Sequence, residues 1–137
     1  MQTKKLISLL LAISLLCAVN VGAVSYQPEC SEISPRYVGI NLFDAKLSIS
    51  TSGKATCTVS VRPSSPTYKI DLNFMLQNND GDVIKSWSVS GERSINVEKV
   101  WYVKSGSQYQ VVATATIYDA DGNYVDSGTT YSRNVSY

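Results

Sequence analysis

Histidine is absent from the 137 residues of this chain. Its absence removes imidazole acid–base chemistry, the Ser-His-Asp triad and most catalytic zinc sites. An excess of one charge is also missing: 12 Lys+Arg stand against 11 Asp+Glu. A nucleic-acid partner would need a basic footprint, and none is present. Cysteine is scarce, at three residues, and proline at four. No window repeats apolar residues at helical spacing over three turns, so no helical domain is expected. What is present is an ordinary hydrophobic fraction, 44%, too high for a disordered chain. The length allows one domain and hardly two. No cofactor is expected, and no set of residues reads as catalytic.

One long apolar run exists, and it opens the chain. Met1-Gln2-Thr3-Lys4-Lys5 precedes an apolar stretch from Leu6 to Val19, followed by Val21-Gly22-Ala23. A basic start, an apolar middle and small residues before a cut describe a secretory signal peptide, with cleavage expected after Ala23. The run falls short of the ~20 residues that span a bilayer. Leu16 precedes Cys17, where lipoprotein processing wants a small residue. The expectation is therefore an exported, extracellular protein with no membrane attachment after residues 1–23 are removed. No sorting motif or apolar tail precedes Tyr137, which argues for release. Removing residues 1–23 also removes Cys17, leaving Cys30 and Cys57. An even pair in an exported protein is a candidate disulfide. The alternative is that Cys57, which lies on an apolar stripe, is a buried free thiol.

Residues 24–35 carry two Pro, two Glu and no periodicity, and read as an arm or linker. From residue 36 to 137, alternating runs separated by Gly, Asp, Asn and Ser clusters give a strand-and-turn rhythm. Strands are expected at roughly 37–50, 54–62, 67–77, 82–90, 94–103, 108–118 and 124–136. Ala55, Cys57, Val59 and Val61 share one face, and Leu47 and Ile49 continue an inward stripe before the turn at Thr51-Ser52-Gly53. Tyr68, Ile70, Leu72, Phe74 and Leu76 form a second stripe, ending at Asn78-Asn79-Asp80-Gly81. Pairing Gln77 with Asp82 sets Leu76 opposite Val83, Leu72 opposite Trp87 and Ile70 opposite Val89. Lys85 then points to the core side, so it must snorkel at the rim unless a bulge resets the face. Alternation also breaks near Lys99, where a bulge is expected.

Tyr109, Val111, Ala113, Ala115 and Ile117 form a third stripe. Across the turn Asp119-Ala120-Asp121-Gly122-Asn123, pairing Tyr118 with Tyr124 sets Ile117 opposite Val125 and Val111 opposite Tyr131. The fold class that follows is all-β: a two-sheet antiparallel β-sandwich of immunoglobulin or fibronectin-III type with about seven strands. A closed barrel is the alternative. Tyr109, two residues before Val111, stands where a tyrosine corner would tie a turn to the sheet. Val111 occupies the place of the second Cys of an antibody domain, so that intersheet disulfide is not expected.

Arg36-Tyr37-x-x-Ile40, Ala45-x-Leu47-Ser48-Ile49-Ser50-x-Ser52-Gly53-Lys54-Ala55-x-Cys57, Lys85-Ser86-Trp87-Ser88, Ser105-Gly106-x-x-Tyr109-x-Val111 and Tyr131-Ser132-x-x-Val135-x-Tyr137 span most of residues 36–137. In these motifs the chain resembles an uncharacterised family of short secreted Ig-like β-sandwich proteins from Gram-positive, clostridia-like bacteria. The resemblance implies export and an Ig-like fold, and supplies no catalytic residues.

Candidate chemistry is sparse. Asp119-Ala120-Asp121-Gly122-Asn123 and Asp80-Gly81-Asp82 suggest calcium, which needs six to eight oxygens. No Glu follows Asp121, and turn chemistry accounts for the same residues. Asp71, Glu92, Glu98 and Asp126 are the acids available for a glycosidase pair, which needs a cleft. Cys57 has no His to activate it as a nucleophile. Asn134-Val135-Ser136 is a glycosylation sequon without weight in a bacterial host. The candidate ligand-binding residues are Tyr118, Tyr124 and Trp101. Tyr118 and Tyr124 are expected as a cross-strand pair on the outer face, beside Thr116 and Asp126. Such a pair either stabilises the hairpin alone or offers a platform for sugar rings. The expected partners are an extracellular protein or a glycan, bound by a monomer.

Overall fold

The computed structural model describes residues 37–137. The expected signal peptide, the arm at 24–35 and Cys30 lie outside these residues. Three central strands carry the alternation most strictly. They are β2 (Lys54–Pro63), β3 (Lys69–Asn78) and β6 (Gln108–Tyr118). In β2, Ala55, Cys57, Val59 and Val61 are buried; in β3, Ile70, Leu72, Phe74 and Leu76; in β6, Tyr109, Val111, Ala113, Ala115 and Ile117. A two-residue side-chain period places each set on one face, and the apolar faces meet to form the core. The small Ala113 and Ala115 stand beside the larger Phe74 and Leu72 in the ladder, which lets the layer close without overpacking.

The remaining strands complete two antiparallel sheets. β1 (Ile40–Ile49), β2 and β5 (Ile95–Tyr102) form the first, in the order β1-β2-β5. The second has the order β4-β3-β6-β7, with β4 at Val83–Glu92 and β7 at Tyr124–Tyr131. A short β8 (Val135–Ser136) pairs with the start of β6. The expected all-β sandwich is thus the architecture of the described residues. Tyr109 donates its hydroxyl to the carbonyl of Lys104 at 2.5 Å, tying the turn before β6 to the sheet as expected.

Four registers or boundaries differ from the sequence expectation, and all lie on edge strands. In the β3–β4 hairpin a bulge separates Gln77↔Val83 from Leu76↔Lys85. Phe74 therefore faces Trp87, Leu72 faces Val89 and Ile70 faces Gly91. The Phe74 and Trp87 rings stack with centroids 5.1 Å apart, a contact the expected pairing does not provide. Lys85 stays on the inner face, and its ammonium reaches out over the Trp101 ring, 4.6 Å from the centroid. The bulge expected near Lys99 is absent: β5 pairs with β2 without a break from Lys54↔Tyr102 to Val61↔Ile95. Lys99 sits opposite Cys57 on the inner face and is half-buried. An edge strand tolerates an inward lysine because the long stem covers apolar surface while the charge reaches water.

In the last hairpin Tyr118 faces Tyr124 as expected, but a bulge follows. Ile117 pairs with Asp126, not Val125, and Tyr131 faces Val112 on the outer side, not Val111. The expected strand at 124–136 is two pieces. Ser132 divides them because its Oγ accepts the N–H of Val111 at 2.8 Å and donates to the carbonyl of Arg133 at 2.9 Å. The Ser132 N–H still donates to the Val111 carbonyl, at 2.9 Å. A side-chain oxygen thus replaces a main-chain acceptor, and the regular ladder stops there.

Residues 37–39 close the β1–β7 side of the sandwich. The Tyr37 ring lies over Gly128, and its hydroxyl donates to the carbonyl of Thr129 at 3.1 Å. A Cβ at Gly128 would stand 2.4 Å from the ring. The N–H of Gly39 donates to Asp126 Oδ2 at 2.9 Å. Glycine at 128 is therefore demanded by close approach of an aromatic ring, not by backbone conformation. We expect Gly128→Ala to destabilise by about 1–3 kcal/mol in chemical denaturation. In a Tyr37→Ala background the same change is expected to be nearly neutral. Additive losses in that double-mutant cycle would show that the ring does not occupy the glycine's space.

Candidate functional site

The outer face of the second sheet is the candidate site. Its residues are set by the registers of β3 with β4, β3 with β6, and β6 with β7. At one end, Lys69, Tyr118 and Tyr124 lie side by side. Below them runs a row of Ser90, Asp71, Thr116 and Ser127, and then a row of Ser88, Asn73, Thr114 and Thr129. Ser86, Met75, Val112 and Tyr131 form the next. Alternation forces these side chains outward, because their sequence neighbours fill the core.

Many of the polar groups are already oriented by one another. Ser90 donates to Asp71 Oδ1 at 2.7 Å and Ser88 to Asn73 Oδ1 at 2.6 Å. The hydroxyls of Thr114 and Thr129 are 3.1 Å apart. Such cross-strand bonds fix hydroxyls and amides in a regular array. Tyr124 is 62% exposed and Tyr131 60%. The Tyr124 hydroxyl lies 3.1 Å from Ser127 Oγ. That contact ties the tip of the exposed Tyr124 side chain to its own strand.

The predicted candidates do not all meet. Tyr118 and Tyr124 are brought together as expected. Trp101 is not with them: it lies in β5 of the first sheet, opposite Ala55, 41% exposed beneath the Lys85 ammonium. Asp126, expected beside the tyrosine pair, instead accepts the N–H groups of Gly39 and Ser127 at 2.9 and 2.8 Å and holds the start of the domain. Tyr131, expected opposite Val111 on the core side, is turned onto the candidate face by the bulge after Tyr124. Of the other acids, Asp71 and Glu92 are diagonal neighbours on this open face, while Glu98 lies on the outer side of the first sheet opposite Thr58. These acids do not converge on one cleft, as a glycosidase pair requires.

The two acidic turns are built alike. Asn78 Oδ1 accepts the N–H groups of Asp80 and Asp82 at 3.0 and 2.9 Å. Asp119 Oδ1 accepts those of Asp121 and Asn123 at 2.9 and 2.8 Å. Gly81 and Gly122 take φ of 83° and 88° in the matching position, which L side chains rarely adopt. The carboxylate of Asp119 is thus spent on its own turn, as turn chemistry requires. Among the described residues no group of three or more His, Cys, Asp or Glu is placed to hold a metal ion.

Cys57 is a free, fully buried thiol among the described residues. Burial pushes its pKa up to about 11. Comparison with protein-family models and with curated proteins finds no match for this chain.

Two titrations follow from these environments. The unfolded Cys57 thiol ionises from its ordinary value near 9, and the folded one only near 11. Stability supplied by the neutral thiol is full below pH 9 and is lost as pH rises toward 11. We expect the denaturation midpoint to fall more steeply across that window than it does in Cys57→Ala. Parallel slopes would mean that no ionisable thiol is present, as in a Cys30–Cys57 bridge. For Asp119, the backbone N–H of Asn123 holds the pKa below its ordinary value, outweighing a smaller opposing effect of desolvation. Its contribution is present above the ordinary carboxylate pKa and is lost as pH falls through the lowered one. Asp119→Asn keeps the acceptor, as Asn78 does in the other turn. It is expected to weaken the acid-side fall in Tm, while Asp119→Ala lowers Tm at neutral pH as well.

Proposed function

We propose that the protein is an exported, non-catalytic binding module of fibronectin-III type. It acts as a monomer outside a Gram-positive cell. The strand orders β1-β2-β5 and β4-β3-β6-β7, together with the Tyr109–Lys104 tie, support the fibronectin-III reading. The basic start and apolar run of residues 1–23 support export. The observation that carries the binding role is the outer face of the second sheet. It presents exposed tyrosines and hydroxyl groups in fixed register, on a scaffold whose strands hold them rigidly.

A second, narrower reading is that the ligand is a carbohydrate. It is favoured by Tyr118 and Tyr124 standing directly opposite each other on the outer face. Sugar C–H groups pack on aromatic faces, and sugar hydroxyls exchange hydrogen bonds with Ser, Thr and Asn side chains. Against this, cross-strand aromatic pairs stabilise hairpins by about 0.2–1 kcal/mol without any ligand.

Two measurements test the readings. N-terminal sequencing of protein collected from the culture medium is expected to begin at Val24. Full-length protein retained in the cytoplasm would remove the extracellular role. On a glycan array, binding is expected for the wild type and lost in the Tyr118→Ala/Tyr124→Ala variant. A signal indifferent to that variant would leave only the broader reading, with a protein partner.

A further inference from the structure

We infer that the outer face of the second sheet takes a neutral, linear polysaccharide lying along the strands, held at one end by Tyr118 and Tyr124 and at the other by Tyr131. The inference rests on the carbohydrate reading above and specifies the kind of glycan.

The register supplies the length. Tyr118 and Val112 are six residues apart on β6; Tyr124 flanks the first and Tyr131 the second. Six residues of strand cover on the order of 20 Å. That span suits several linked sugars in an extended chain and exceeds any single ring. A ligand that engaged only a chain end would have no use for Tyr131.

The polarity supplies the class. Between the two aromatic ends lie Thr116, Thr114, Asn73, Ser88, Ser90, Ser127 and Thr129, none of them charged. Asp71 is the one charge in those rows, and its Oδ1 already accepts the Ser90 hydroxyl. Lys69 stands at the Tyr118 end with Glu92 opposite it, and the rows between the aromatic ends carry no cation, so an anionic polymer would find no run of positive charge to follow. A protein surface would be expected to meet an apolar centre, whereas here the centre is hydroxylated and the aromatics are at the ends. Polyhydroxylated, uncharged and extended is the chemistry that matches. Hydroxyls already fixed by cross-strand bonds lose little freedom when a chain of sugars settles on them.

The test uses the secreted protein in native gels containing soluble β-glucan, glucomannan or xylan, with polygalacturonate as the anionic counterpart. At least one neutral polymer is expected to retard the wild type, and polygalacturonate is not. Tyr124→Ala and Tyr131→Ala should each weaken retardation roughly tenfold, as loss of an anchoring aromatic does. Tyr102→Ala, which removes a side chain 66% exposed on the first sheet, should change nothing. Thermal midpoints of the variants establish that each is folded. If Tyr124→Ala abolishes binding and Tyr131→Ala leaves it intact, the extended mode is overturned and the carbohydrate reading stands. Retardation by polygalacturonate alone overturns the neutral class. No retardation by any polymer overturns both.

Discussion

The structure depends on the interlocking of three inner stripes, those of β2, β3 and β6. Each is the middle strand of its surroundings, paired on both sides, and each buries every second side chain almost completely. The hydrophobic gain is distributed over Val59, Val61, Ile70, Leu72, Phe74, Leu76, Val111 and Ile117, all at most 1% exposed. Burying such side chains contributes roughly 1.5–3 kcal/mol each relative to exposure. Everything else follows from this constraint. Once those faces are committed inward, the hydroxyl, amide and aromatic residues between them must form the outer surface, in rows set by the ladders.

The two open sides of the sandwich are handled differently. On the β1–β7 side, Tyr37 fills the space over Gly128, and Asp126 receives the Gly39 N–H. The chain that enters the domain thereby seals the gap. On the β4–β5 side, Lys85 reaches across from the second sheet to the Trp101 ring of the first. With Trp101 41% exposed, a cation–π contact of this kind contributes about 0.5–1 kcal/mol. An inward lysine also discourages another strand from adding to the edge. Lys85 and Lys99 therefore guard the edges as well as pack against them, and Trp101 takes part in the contact between the sheets.

The candidate face inherits its order from the same edges. The bulge after Tyr124 moves Asp126 toward Gly39 and at the same time turns Ser127, Thr129 and Tyr131 outward. A single extra residue thus couples the anchoring of residues 37–39 to which side chains of β7 the outer face displays. The tyrosine pair and Tyr131 lie on one face because of that bulge, and Ser132 ends β7 immediately afterwards by capturing the Val111 N–H.

Much of this was legible in the residues alone. The inner positions of β2, β3 and β6 are apolar throughout, because both neighbours of a central strand demand it. The turns at 78–82 and 119–123 announce themselves through Asn, Asp and Gly, whose chemistry is local. Tyr109 was marked by its spacing from Val111. The edge strands were not legible in the same way. In β7 the hydrophobic pattern favours the register that turns Val125 and Tyr131 inward, whereas the bulge after Tyr124 sends Tyr131 outward. The choice is made by Tyr37 on Gly128 and Gly39 on Asp126, contacts between segments nearly the whole domain apart. In β4 and β5, Lys85 and Lys99 looked like faults in the pattern because alternation assumes a closed core. Local sequence determined where strands and turns form and which faces of the central strands are buried. Only the tertiary structure decided which side of each edge strand faces water, because that depends on what covers the open sides of the sandwich.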